Sequence, residues 1–190
     1  ELAIAETEKA IALDPDSNPA HANRAFNQLL LNRLDDALLT VRLAAERKLA
    51  PADLLLTQYF VAFLTGNENE LRRTVTTVRK SPAREDEISH IEALALARSG
   101  QLQDARRMAE GAVQIAQKSG RRERAGLFEA GTAVWEAFHG NAAAARQSAT
   151  RALELGRGGR EVDYAAAFAL ALAGDLPQSR ALAEVLAREF

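Results

Sequence analysis

Apolar residues recur along this chain at helical spacing, in stretches that are each closed by a short turn. Gly66, Gly100, Gly140 and Gly174 end four of these stretches, 34, 40 and 34 residues apart, and a step of 34 back from Gly66 reaches Asn32. Gly and Asn enter the left-handed conformation that ends a helix at least cost, so each position lets the chain reverse and the next helix pack antiparallel on the last. The pattern predicts half a hairpin over 1–15 and five full hairpins over about 18–49, 52–80, 83–119, 121–156 and 160–190, in a single domain over 1–190.

Small residues are phased to the turns. Alanines stand seven residues before, five after and twelve after the turn in three hairpins: Ala25, Ala37 and Ala44; Ala93, Ala105 and Ala112; Ala133, Ala145 and Ala152. Two helices approach to roughly 8 Å only where the crossing side chains are small, which gives alanine a reason at each place. The hairpin turning at Gly66 carries Tyr59, Leu71 and Val78 there and is expected to be splayed or differently packed; the last has Ala167 but Ser179 and Leu186. Pro19, Pro51, Pro82 and Pro177 fall at predicted first turns, where a missing N–H costs nothing, and Pro15 lies just past a helix end. Asn67-x-x-Glu70 and Asp175-x-x-Gln178 read as capping boxes. Between Gly100 and Gly140 the longer spacing predicts extended helices meeting at Gly120.

On these residues the chain resembles the tetratricopeptide repeat (TPR) family, in the form of a bacterial-type array excised from a longer protein; its first segment ends in the family's Leu-Asp-Pro, at Leu13-Asp14-Pro15. The resemblance covers essentially the whole chain. It implies an all-α fold class, an α-α superhelix or solenoid of tandem helical hairpins that share one continuous core, since no hairpin buries its faces alone. It also implies that the first helices line a concave groove in which polypeptides lie. Carrying the groove positions across gives Ala22 and Phe26, Leu56 and Phe60, His90 and Leu94, Ala130 and Val134, and Tyr164 and Phe168, with Phe63, Phe138 and Leu172 nearer the turns. Family members that clamp acidic C-termini hold Lys, Asn and Arg at the paired positions, and none of these ten residues matches. An apolar, aromatic-bearing groove implies a ligand with hydrophobic anchors, such as an amphipathic helix, although aromatics at helical spacing also serve as core. Both roles stay open for the set.

Composition narrows the function without naming it. Lys and Arg number 24 against 26 Asp and Glu, so the net charge of −2 offers no bulk attraction to nucleic acid or anionic membrane. The basic pairs Arg72-Arg73, Arg79-Lys80 and Arg106-Arg107 are interleaved with acids and lack aromatic stacking partners, and no run reaches the roughly 20 apolar residues of a membrane span. Neither nucleic acid nor membrane is an expected partner. With no cysteine there is no thiol nucleophile or disulfide framework. The start, Glu1-Leu2-Ala3-Ile4, reads as the middle of a helix and is expected to be cut from a longer protein; both terminal helices should then leave an apolar edge and favour weak end-to-end self-association.

Chemistry is sparse. His21, His90 and His139 fall on three different hairpins. Glu87 and His90 sit one helical turn apart, as half of a dinuclear metal site would, but a second pair is missing, so no metal is expected. His139, before Gly140, is expected to cap a helix C-terminus. Gly156-Arg157-Gly158-Gly159-Arg160 follows a helix and lacks the Lys-Ser or Lys-Thr of a phosphate loop, so it reads as a connector. The expectation is a non-enzymatic protein–protein interaction scaffold without cofactors. The alternative is a regulatory or sensor segment of a signalling protein, because Ala142-Ala143-Ala144-Ala145 and Ala169-Leu170-Ala171-Leu172-Ala173 are similar to arrays fused behind bacterial Ser/Thr kinase or winged-helix domains; a cytoplasmic location would go with it.

Overall fold

The computed structural model describes residues 1–49, 52–80, 84–156 and 158–189, and all regular structure among them is helical. The chain divides into two compact units, Glu1–Arg84 and Glu85–Phe190. The first contains α1 (Leu2–Leu13), α2 (Asn18–Leu30), α3 (Leu34–Glu46), α4 (Ala52–Leu64) and α5 (Glu68–Val78). There α2 pairs with α3 and α4 with α5, while α2 also packs on α1 and α4. The second contains α6 (Glu85–Arg98), α7 (Leu102–Lys118), α8 (Arg122–Phe138), α9 (Ala142–Gly156), α10 (Arg160–Leu172) and α11 (Leu176–Glu189). Its hairpins are α6–α7, α8–α9 and α10–α11, and α8 lies between α6 and α10.

All five predicted turn residues have left-handed backbones: Asn32 at φ 57°, Gly66 at 68°, Gly100 at 78°, Gly140 at 76° and Gly174 at 80°. The same two bonds close each turn. At Gly140 the amide of Asn141 donates to the carbonyl of Glu136 (2.9 Å) and that of Gly140 to Ala137 (3.0 Å), so orphan carbonyls at the end of α8 are satisfied. Gly120, between the long helices α7 and α8, adopts the same form at φ 73°. So does Lys48 at φ 61°, where a lysine gives no sequence signal for a left-handed residue.

The turns also correct the capping boxes. The Asn67 side chain accepts from the Glu70 amide at 3.1 Å and Asp175 from the Gln178 amide at 3.3 Å, as a helix start requires. The return bonds do not form, because the amides of Asn67 and Asp175 already close the preceding turns on Ala62 and Leu170, at 2.8 Å each. One residue ends a helix and starts the next, and its single N–H is spent on the first task. Glu70 accepts from Gln58 of α4 instead.

None of the nine phased alanines is more than 1% exposed. They are enclosed between packed helices, where small side chains let the helices approach closely. Pro19 and Pro177 occupy the first turns of α2 and α11; Pro51 and Pro82 lie outside the described residues, as does Arg157 of the predicted connector.

Candidate functional site

Helix α8 is enclosed by its neighbours almost completely. Between Ala125 and Glu136 every residue is buried except Leu127, Gly131 and Val134, and continuing their spacing reaches the exposed ring of Phe138. These four form one strip along the helix. The helices beside it carry matching strips, Glu87, His90, Leu94 and Arg98 on α6, and Glu161, Tyr164, Phe168 and Leu172 on α10. The rings of Phe138 and Phe168 lie 6.0 Å apart, joining the strips of α8 and α10. At the other end Arg121 bridges to the buried Asp86 of α6 at 3.1 Å, and Arg124 lies 3.6 Å from Asp86 and 4.0 Å from Glu87, so charges tie α6 to α8 beside the apolar centre. The resulting face is apolar in its middle, with Tyr164 and Phe138 about two-thirds exposed (65% and 67%). Contiguous exposed apolar surface of this kind is what binding grooves present.

The opposite side of α8 is polar and filled from α7 and α9. Arg106 donates from Nε and Nη2 to the two carboxylate oxygens of Glu136 at 2.6 and 2.8 Å, and Asn141 Nδ2 adds a third bond at 2.8 Å. Both carboxylate oxygens of the buried Glu136 are thereby paired, and the hydrogen bonds to Glu136, aided by its charge, hold Arg106 above its ordinary pKa. Two turns earlier Glu129 is also buried, 3.7 Å from Arg151, which bridges to Glu110 of α7 at 3.4 Å. Burial raises the Glu129 pKa, opposed by Ser148 and Arg151 and assisted by Glu110. A cleft of about 260 Å³ lies among these side chains.

Within the second unit the first helices α6, α8 and α10 thus lie side by side with α7 and α9 packed against them, and small residues are phased to the turns. Each unit is a tandem array of antiparallel helical hairpins. No family model matches the chain, and no curated protein matches it. Among solved structures the chain is similar to the crystal structure of YrrB, described as a TPR protein with an unusual peptide-binding site. The two share 16% identity over 94% of this chain and 89% of that one, with a TM-score of 0.47.

The predicted groove residues divide by burial. In the first unit Ala22 and Leu56 are buried, Phe26 is exposed, and Phe60 and Phe63 are half-buried. Phe60 packs against the cluster of Leu29, Ala37 and Val61 and meets Tyr59 edge-on at 5.9 Å, so much of it serves the core. In the second unit Leu94, Phe138, Tyr164, Phe168 and Leu172 are exposed, His90 and Val134 are half-buried, and Ala130 is wholly buried. Leu127, absent from the prediction, belongs to the strip, and its spacing to Gly131 and Val134 is the signal that identifies it. Glu129 and Glu136 went unnoticed in the sequence as well; two acids seven residues apart, on a helix face otherwise lined by small residues, mark them.

The other histidines have structural partners. His21 is buried with Nε2 2.9 Å from the Pro15 carbonyl. His139 is the C-cap of α8 and its Nδ1 donates to the Trp135 carbonyl at 3.0 Å. Among the described residues no group of three His, Asp or Glu side chains is placed to hold a metal ion.

Proposed function

We propose that the second unit binds a polypeptide segment through apolar side chains laid across the strips of α6, α8 and α10. One observation carries the reading: between Ala125 and Glu136 α8 is buried except along the strip Leu127, Gly131 and Val134, which runs on to Phe138 and is flanked by Tyr164, Phe168 and Leu172. A helix this well packed has no internal use for exposed aromatic rings beside its single open strip. Their removal from water by a ligand contributes about 25 cal/mol per Å² of apolar surface, before the entropy of binding is subtracted. The scaffold role follows, with the hairpins as rigid support and no chemistry required of the site.

The test is selection of random displayed peptides on the wild-type protein and on the double variant Tyr164→Asp, Phe168→Asp. Both residues are exposed, so the variant should keep its helical circular dichroism. The expected outcome is peptides rich in aromatic and aliphatic residues whose affinity falls at least about tenfold on the variant, equivalent to 1.4 kcal/mol. Peptides that bind both proteins equally would move the binding surface elsewhere.

A further inference from the structure

The open strip of α8 passes over Gly131, which has no side chain, and the gap is filled from α6 by His90. The imidazole stacks on the buried ring of Phe128 with centroids 4.4 Å apart and planes at 18°. A Cβ on residue 131 would come within 2.9 Å of His90 Cε1 and 3.3 Å of Nε2, so the ring lies flat on α8 only because a glycine is there. A polar ring is thus held in the middle of an apolar face, between Leu94 on its own helix and Leu127 and Val134 on the next.

The two nitrogens are not equivalent. Nδ1 is buried with no hydrogen-bond partner, whereas Nε2 lies on the ring edge that covers Gly131 of the open strip, 3.3 Å from where a Cβ there would stand. Burial lowers the pKa to about 4, so at neutral pH the ring is uncharged and carries one N–H. A proton on Nδ1 would make a buried donor without an acceptor, a defect rarer in folded proteins than an acceptor left bare. The proton therefore belongs on Nε2.

We propose that His90 is the specificity-determining donor of this groove, its Nε2–H meeting a main-chain carbonyl of the bound segment and setting its register. The inference rests on the peptide-binding reading and sharpens it. A carbonyl within an amphipathic helix is already engaged by its own backbone, whereas an extended segment offers one at every residue. The partner is accordingly an extended apolar segment rather than a helix.

The probes are the peptides selected on the wild-type protein. His90→Phe keeps a flat ring for Phe128 and removes the donor. Its expected effect is a loss of about tenfold in affinity, as for one hydrogen bond without charge. Replacing peptide carbonyls one at a time by methylene should reveal one position whose loss weakens binding to the wild type by a similar factor and leaves His90→Phe unaffected. A merely structural histidine would not produce that coupling. Nitrogen NMR of the wild-type protein should show the Nε2–H form, a reading independent of whether the variant folds. Equal binding by His90→Phe, no carbonyl coupled to it, or an Nδ1–H ring would each overturn the donor role while leaving the groove intact. Failure of the library to yield any peptide sensitive to the Tyr164 and Phe168 changes would remove the groove and the donor together.

Discussion

The α8–α9 and α4–α5 hairpins turn in the same way, at Gly140 and Gly66 with φ of 76° and 68°, yet their helices meet differently. In α8–α9 the crossings hold Ala133, Ala145 and Ala152, and the two helices touch over much more of their length. Their backbones come so close that a Cβ on Gly126 would lie 2.9 Å from the amide nitrogen of Gly156. In α4–α5 the corresponding places hold Tyr59 and Val78, both buried, and the half-buried Leu71. The turn brings the helices back toward one another; the volume of the side chains at the crossing determines how near they come. Closeness and filling are alternative ways to exclude water, and the chain uses one in each hairpin.

Tyr59→Ala tests the filled hairpin and carries the largest expected effect, a loss of about 3–5 kcal/mol, because a large buried side chain leaves a cavity that its surroundings close only in part. Urea unfolding followed by circular dichroism measures it. A loss under about 1 kcal/mol would mean that α4 and α5 collapse into the close arrangement of α8 and α9, and the comparison would fail. Gly126→Ala probes the close hairpin. Alanine gains about 1 kcal/mol over glycine in a helix interior, but its methyl group meets backbone atoms that cannot rotate away, so a net loss of about 1–2 kcal/mol is expected. Net stabilisation would show that the helices are not in backbone contact.

The smallest effect concerns the Glu129 carboxyl group buried beside α9. The Glu129 pKa is raised by burial, so above the ordinary glutamate value of 4.5 the native state keeps a proton that the unfolded chain has released. That contribution to stability is complete below pH 4.5 and is lost as the pH rises through the folded-state pKa. Glu129→Gln should flatten this part of the profile, seen in urea midpoints of wild type and variant across that range. A wild-type slope of the opposite sign, unchanged by the substitution, would show that Arg151 and Ser148 outweigh burial.

What could be read directly from the chain is what short-range geometry dictates. Asn32 and the four turn glycines mark left-handed backbone because few other residues enter it cheaply, and alanines at that phase mark the hairpins whose helices approach closely, because only small side chains permit the approach. Lys48 escaped that logic, since it takes the same conformation without the residue type that announces it. The capping boxes were half visible: the side-chain bonds of Asn67 and Asp175 depend on local sequence, but the return bonds failed because the preceding turn had already taken the amide.

The apolar face was visible as a set of positions without a division between groove and core. Phe60 and Phe168 are the same residue type at the same step before a turn, yet one is half-buried against Leu29 and Val61 and the other lies exposed beside Phe138. Nothing local to either phenylalanine decides that; the neighbouring helices do. The sequence alone determined where helices end and which residues are small enough to let them cross, because both depend on single residues and fixed spacing. Only the tertiary structure decided that Arg106 pairs with Glu136, that His90 lies over Gly131, and which apolar residues stay open. Each of these is a meeting of side chains from different helices, with an energy that exists only once the helices are packed.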